Sequence, residues 1–224
     1  MSFDEDDSIL QDSDSPATFT GTDPRILNLS YSGLLTFHSC PRKFQLQKLQ
    51  SKRDEIEDVP GSITFAYGHV VGAGVQAVLE EKPVTQILWE AFLEWDVDLL
   101  ADNPKQNKSF FGALQAILQF QSMRDSGYLD GYELVSYQNK PACELSFVIH
   151  LPDRYKYRGF VDAVLRHKIT GEVLVLECKT TNSSAVNPAQ YKNSAQAIGY
   201  SIVLDALFPT LSSYKVLYLV YQTK

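Results

Sequence analysis

The segment from Gly159 to Lys179, GFVDAVLRHKITGEVLVLECK, constrains this chain more than any other, because it sets two carboxylates and a lysine in apolar β-structure. Two β-rich runs, FVDAVLRHK and EVLVLECK, flank Thr170-Gly171, a glycine-containing pair of the kind that turns a hairpin. A two-residue turn there puts Asp162 opposite Lys179, with Glu177 on the diagonal. Side chains alternate with period two, so Asp162, Glu177 and Lys179 then share one face. Diagonal neighbours lie roughly 7–8 Å apart, close enough for two carboxylates to reach one ion. Val173, Leu174, Val175 and Leu176 precede Glu177, so this strand is apolar on both faces and reads as central in its sheet. Two carboxylates buried together need a proton or a cation between them, and oxygen ligands of this kind suit Mg²⁺ or Mn²⁺. A structural Asp–Lys or Glu–Lys pair at a strand end is the plainer alternative.

The rest of the chain supplies a frame for that hairpin. Ser30 is placed to cap a first helix through about Phe37, and Pro41 to open a second toward Leu49. A charged loop, SKRDEIEDVPGS, leads to helical patterns at Phe65–Glu81, Val84–Leu100 and Phe110–Arg124, the last closing near Gly127. From Tyr132 the character turns to strand: YELVSY, ACELSFVIH, YRGFVDAVL and EVLVLECK. A helix at about Pro188–Leu207 and a final apolar strand, YKVLYLVY, follow. The pattern predicts an α/β fold with helices on the faces of one sheet.

Four further residues join the hairpin as candidates. Glu144 falls opposite Asp162 if Leu151–Tyr155 form the loop that pairs His150 with Lys156; a solvated strand face explains it as well. His69 sits in AYGHVVGAGVQAVL, where Gly68, Gly72 and Gly74 each cost about 1 kcal/mol relative to alanine. Three such glycines predict close approach of another backbone or a ligand, although a lone helix histidine is more often a satisfied surface or core residue. Gln196 and Tyr200 are four apart and share a helix face, with Lys192 a turn earlier and Ile198, Ile202 and Val203 available to bury the other side. They can hold a phosphate and stack on a base, or simply be solvated.

In order and spacing, Gly159-x-x-Asp162, Glu177-x-Lys179 and Gln196-x-x-x-Tyr200 resemble the PD-(D/E)XK nuclease superfamily, in particular its RecB-like exonuclease branch. LSYSGLLTFHSCPRKF, residues 29–44, is similar to the N-terminal helical segment of that branch, and the likeness runs over about residues 29–221. It implies a restriction-endonuclease-like α-β-β-β-α-β core with an N-terminal helical layer. It also implies a metal shell of Asp162, Glu177, the Cys178 carbonyl and His69, a glutamate near the metal such as Glu144, and Lys179 positioning the nucleophile. Several such nucleases carry an iron–sulfur cluster held by four cysteines, three of them after the Gln-x-x-x-Tyr helix. No cysteine follows Cys178, so the chain as given does not complete that set, and Cys40 reads instead as a buried apolar residue.

A formal charge of −7 looks wrong for a DNA-binding protein until it is mapped. Residues 1–23 hold seven acidic and no basic residues, leaving 20 of each sign in the remainder. The division is therefore an acidic, disordered tail, 1–23, and one nuclease domain, 24–224. No run of about 18 apolar residues and no signal peptide is present, which predicts a cytoplasmic location and no membrane partner. Unpaired spacing of Cys40, Cys143 and Cys178 predicts reduced thiols. The function these features predict is Mg²⁺- or Mn²⁺-dependent hydrolysis of linear single- or double-stranded DNA, exonucleolytic, in recombination, repair or phage DNA processing, alongside a recombination or CRISPR-adaptation partner protein. Two alternatives remain: a CRISPR-associated RecB-like nuclease that trims spacers, and a noncatalytic DNA-end-binding subunit on a nuclease fold.

Overall fold

The computed structural model describes residues 27–49, 62–100, 108–152, 155–183, 185–192, 194–211 and 213–223. The acidic tail and nearly all of the charged loop at 51–62 lie outside the described residues. Ser30 accepts the Gly33 N–H and caps helix α1 (Tyr31–Ser39). Cys40 Sγ accepts the Lys43 N–H at 3.5 Å and caps α2 (Pro41–Phe44), with Pro41 in the first turn and a π-helical turn, Gln45–Leu49, continuing it. Cys40 is exposed, which corrects its reading as a buried residue: a cap must sit at a helix end, where the orphan N–H groups are.

Helix α3 (Ile63–Leu79) buries Tyr67, Val70, Val71, Val75, Ala77 and Val78, and packs between α4 (Val84–Leu93) and α5 (Phe110–Asp125). A Cβ on Gly74 would stand 2.2 Å from Ile117 Cδ1, so this glycine lets α5 approach; the close neighbour is a helix and not a ligand. The predicted helix at 84–100 stops at Leu93 and resumes as a 3-10 turn over Val97–Leu100.

Six strands form the main sheet: β1 (Leu27–Leu29), β2 (Tyr132–Leu134), β5 (Cys143–His150), β6 (Tyr155–His167), β7 (Val173–Thr181) and β8 (Tyr214–Gln222). Between them β3 (Ser136–Tyr137) and β4 (Lys140–Pro141) make a small separate hairpin, so YELVSY is split. β6 organises the rest. One of its edges carries β5 and then β2, both antiparallel; the other carries β1, parallel, at its start and β7, antiparallel, at its end. β8 runs parallel to β7, reached through helix α6 (Ala195–Leu207).

This sheet separates two cores. Leu174, Leu176, Ala163 and Leu165 pack against α3 and α5, while Val173, Val175, Val161 and Val164 pack against Tyr200, Val203 and Leu204 of α6. β7 is thus buried on both faces, as its unbroken apolar run requires. The result is a mixed α/β fold with a helical layer on one face and α6 on the other, the α-β-β-β-α-β arrangement expected. No helix among the described residues is long and apolar enough to cross a membrane.

Candidate active site

The hairpin is real, but its turn is longer than a Thr170-Gly171 pair. His167 N–H donates to Glu172 O, and the His167 imidazole Nδ1 accepts the N–H groups of Ile169 and Thr170. Gly171, at φ 72°, closes the turn by donating to His167 O. The register becomes Ala163 opposite Leu176, two residues away from the predicted one. A shift of two preserves parity, so Glu177 keeps the face of Val173 and Val175, toward α6.

Asp162 departs from regular alternation. Val161 packs on the α6 side and Ala163 on the α3 side, though the two should share a face; Leu145 and Cys143 on β5 do the same. Both strands therefore change face at the pair Glu144 and Asp162, and Glu144 takes the left-handed backbone conformation, φ 45°. Such a conformation costs a non-glycine residue of order 1–3 kcal/mol and tends to be kept where a site needs it. The pairing of His150 with Lys156 stands as predicted, and so does the placing of Glu144 across from Asp162, between the paired Cys143–Ala163 and Leu145–Val161. Gly159, the first residue of the motif, lies opposite Phe147, and a Cβ there would be 2.9 Å from that ring.

At this crease β6 and β7 part company, and the Asp162 carboxylate replaces the lost ladder bond. Its Oδ2 accepts the Cys178 N–H at 2.8 Å. Burial, and next the neighbouring Glu177 charge, push the Asp162 carboxyl up to about 7, against the opposing pull of that N–H. Burial also holds the Cys143 and Cys178 thiols up at about 12, so both stay protonated.

Glu177 is 2% exposed and lies in a ring of donors. Lys179 Nζ and Gln196 Nε2, the latter at 2.6 Å, reach Oε1, and the Tyr200 hydroxyl donates to Oε2. Gln196 Nε2 also lies 2.9 Å from the Tyr200 oxygen. Burial, then the Glu177 charge, raises the Tyr200 pKa and keeps it a donor. For Lys179 burial pulls the pKa down, but the Glu177 charge and hydrogen bond outweigh it and the net shift is upward, so this residue is an ammonium.

The reading of Gln196 and Tyr200 as substrate contacts meets a correction here. Tyr200 is 3% exposed and offers no face to a base, while Ile198 and Ile202, expected to be buried, are exposed. Helix α6 is rotated so that Tyr200, Val203 and Leu204 face the sheet; the Glu177 carboxylate satisfies the phenol and makes its burial affordable. Lys192 lies in the turn before α6 and is exposed.

His69 is exposed on α3 and close enough to Glu144 for its charge to act there. Burial raises the Glu144 pKa, His69 opposes that, and Glu177 and Glu94 add to it. Glu94, the residue that caps the end of α4, escaped the sequence reading, since only tertiary packing brings its charge within reach of Glu144. The structure thus gathers Asp162, Glu177, Lys179 and Glu144 at one end of the sheet, with His69 at its margin. Among the described residues no three His, Cys, Asp or Glu side chains are drawn tightly enough together to enclose an ion.

A mixed sheet thus ends in a buried glutamate, a half-buried aspartate and a lysine, with a Gln-x-x-x-Tyr helix against it. A family model of the PD-(D/E)XK nuclease superfamily matches residues 28–223, and the chain belongs to that superfamily, whose members are in general metal-dependent nucleases. No curated protein matches it.

Proposed function

We propose that this protein hydrolyses DNA phosphodiester bonds with Mg²⁺ or Mn²⁺ held by Asp162 and Glu177, acting on strand ends in the manner of a RecB-like exonuclease. The observation that carries the proposal is the pair of carboxylates, Glu177 buried and Asp162 half-buried, at the parting of β6 and β7. The Glu177 charge raises the cost of ionising Asp162, and among the described residues the Cys178 N–H is its one donor. That donor set fits a hard divalent cation, with the Cys178 carbonyl and His69 as further ligands.

A divalent ion bound there would polarise the phosphate and lower the pKa of the attacking water. The chain's own residues do the rest. Tyr200 and Gln196 fix the Glu177 carboxylate from the α6 side, as groups behind a ligand do. Lys179 has a side chain 37% exposed, whereas Tyr200 is buried, and it is able to swing from Glu177 toward a phosphate oxygen or a water. As an ammonium it orients and stabilises developing negative charge and does not take up a proton. A cation held there would also favour the ionised form of Asp162.

The test is cleavage of end-labelled linear single- and double-stranded DNA and of circular DNA, with Mg²⁺, with Mn²⁺ and with chelator. Ion-dependent loss of the end-labelled substrates, with circles spared, supports the exonuclease reading; cleaved circles make the enzyme an endonuclease. The second reading, a noncatalytic DNA-end-binding subunit, draws on the closed ring of donors around Glu177. It prevails if folded, ion-loaded protein leaves every substrate intact.

A further inference from the structure

We infer that Phe65 is a stacking platform for an unpaired base, so that the strand entering this site is single-stranded DNA or a frayed end. Phe65 is 70% exposed, and none of the aromatic pairs among the described residues includes it. Folding gives no reason for that. The buried stripe of α3 runs through Tyr67, Val70, Val71, Gly74 and Val78, and Phe65 lies off it. A phenylalanine left in water forfeits about 1.5–3 kcal/mol of burial, which a ligand that covers the ring would recover.

Its neighbours indicate which kind of contact. Phe65 and exposed His69 are four apart and share one face of α3. One residue from the histidine, a Cβ on Gly68 would lie 3.8 Å from Thr180 Oγ1, and Thr180 follows Lys179 on β7. The ring therefore stands one helical turn from the catalytic end. One residue before it, Thr64 Oγ1 accepts the Lys108 ammonium at 3.1 Å, which holds a cation at the same turn of α3. An exposed aromatic face with a lysine alongside suits a base and its phosphate, and a base inside a duplex has no free face to offer. A protein partner would more readily desolvate an apolar patch than a single ring between His69 and Lys108.

The inference rests on the nuclease reading for where the catalytic end lies, yet it can be tested without cleavage. Binding of fluorescein-labelled oligothymidylate and of a blunt duplex is measured by anisotropy with full-length protein in chelator. Phe65→Ala should weaken oligothymidylate binding by about 5- to 150-fold, the worth of one stacked base, and leave duplex affinity and melting temperature unchanged. Phe65→Trp should retain binding. In a series of oligonucleotides with one abasic site moved along the strand, one position should cost the wild type as much as Phe65→Ala does and cost the variant nothing more. Lys108→Gln should flatten the salt dependence by about one phosphate contact. Wild-type protein that binds no single strand, an unchanged affinity in Phe65→Ala, an equal loss on duplex, or additive abasic and Phe65 effects each overturn the inference. A protein that binds single strands through Phe65 but never cleaves would defeat the nuclease reading alone; one that cleaves with no dependence on Phe65 would defeat this inference alone.

Discussion

Asp162 and Glu177 are carboxylates of one site, but the protein treats them differently. Glu177, buried on the α6 face, is surrounded by Lys179, Gln196 and Tyr200, so its charge is compensated within the fold. Asp162, on the crease shared with Glu144, has one N–H donor among the described residues and a pKa raised to about 7. The difference separates a fixed anion from one whose ionisation depends on what arrives. On the proposed function, an ion arriving here would meet one carboxylate already held by the fold and one with a proton to release.

The largest effect that tests this comparison is on chemistry. Glu177→Gln and Lys179→Ala should each lower cleavage by about 10³-fold or more, as expected for members of a unit that acts together. Glu177→Ala should in addition lower the melting temperature, because it strands the buried Tyr200 hydroxyl at a cost of about 1–3 kcal/mol. Equal stability in Glu177→Ala and Glu177→Gln would show that the ring of donors does not exist in solution. Next in size, Tyr200→Phe should reduce activity or ion affinity by about 10- to 100-fold while DNA affinity in chelator is unchanged. A selective loss of DNA affinity would restore Tyr200 as a substrate contact.

Asp162 should reveal itself through pH. Its folded-state pKa lies above the ordinary carboxylate value of 3.8, so ionisation is penalised by folding. The contribution to stability is full below about pH 4 and is lost as pH rises through about 7. Ion-free Asp162→Asn should remove that part of the pH dependence seen in melting temperature, and ion affinity in the native protein should climb across the same window. A wild-type profile in the variant would place the titration elsewhere. The smallest effect concerns the acidic segment 1–23. If it competes with DNA, deleting it should tighten binding at low salt and hardly at all where screening is strong; no change at low salt would make it a solvated extension.

Most of the frame was legible because it follows from patterns that one strand or helix carries by itself. The apolar run before Glu177 marked a central strand, Ser30 and Pro41 marked helix starts, and the five-residue loop after His150 set the β5–β6 register. What sequence could not show depends on a partner remote in the chain. Period-two counting cannot foresee a face change made jointly by Glu144 and Asp162. The turn lengthened because the His167 ring accepts two of its amides, a bond that no turn propensity encodes. Helix α6 was rotated in the reading because a tyrosine was counted as polar, whereas Glu177 allows it to be buried. Phe65 and Glu94 carried no motif; only packing revealed one as left out in solvent and the other as near enough for its charge to reach Glu144.

Titration of Mn²⁺ into the protein tests the central claim, that Asp162 and Glu177 share one divalent ion, without reference to any substrate. Calorimetry or electron paramagnetic resonance at neutral pH should show a bound ion in the wild type, no binding in Asp162→Asn or Glu177→Gln, and weakened but measurable binding in Tyr200→Phe. Folded wild-type protein that takes up no Mn²⁺, or an Asp162→Asn variant that binds it as the wild type does, would contradict the account.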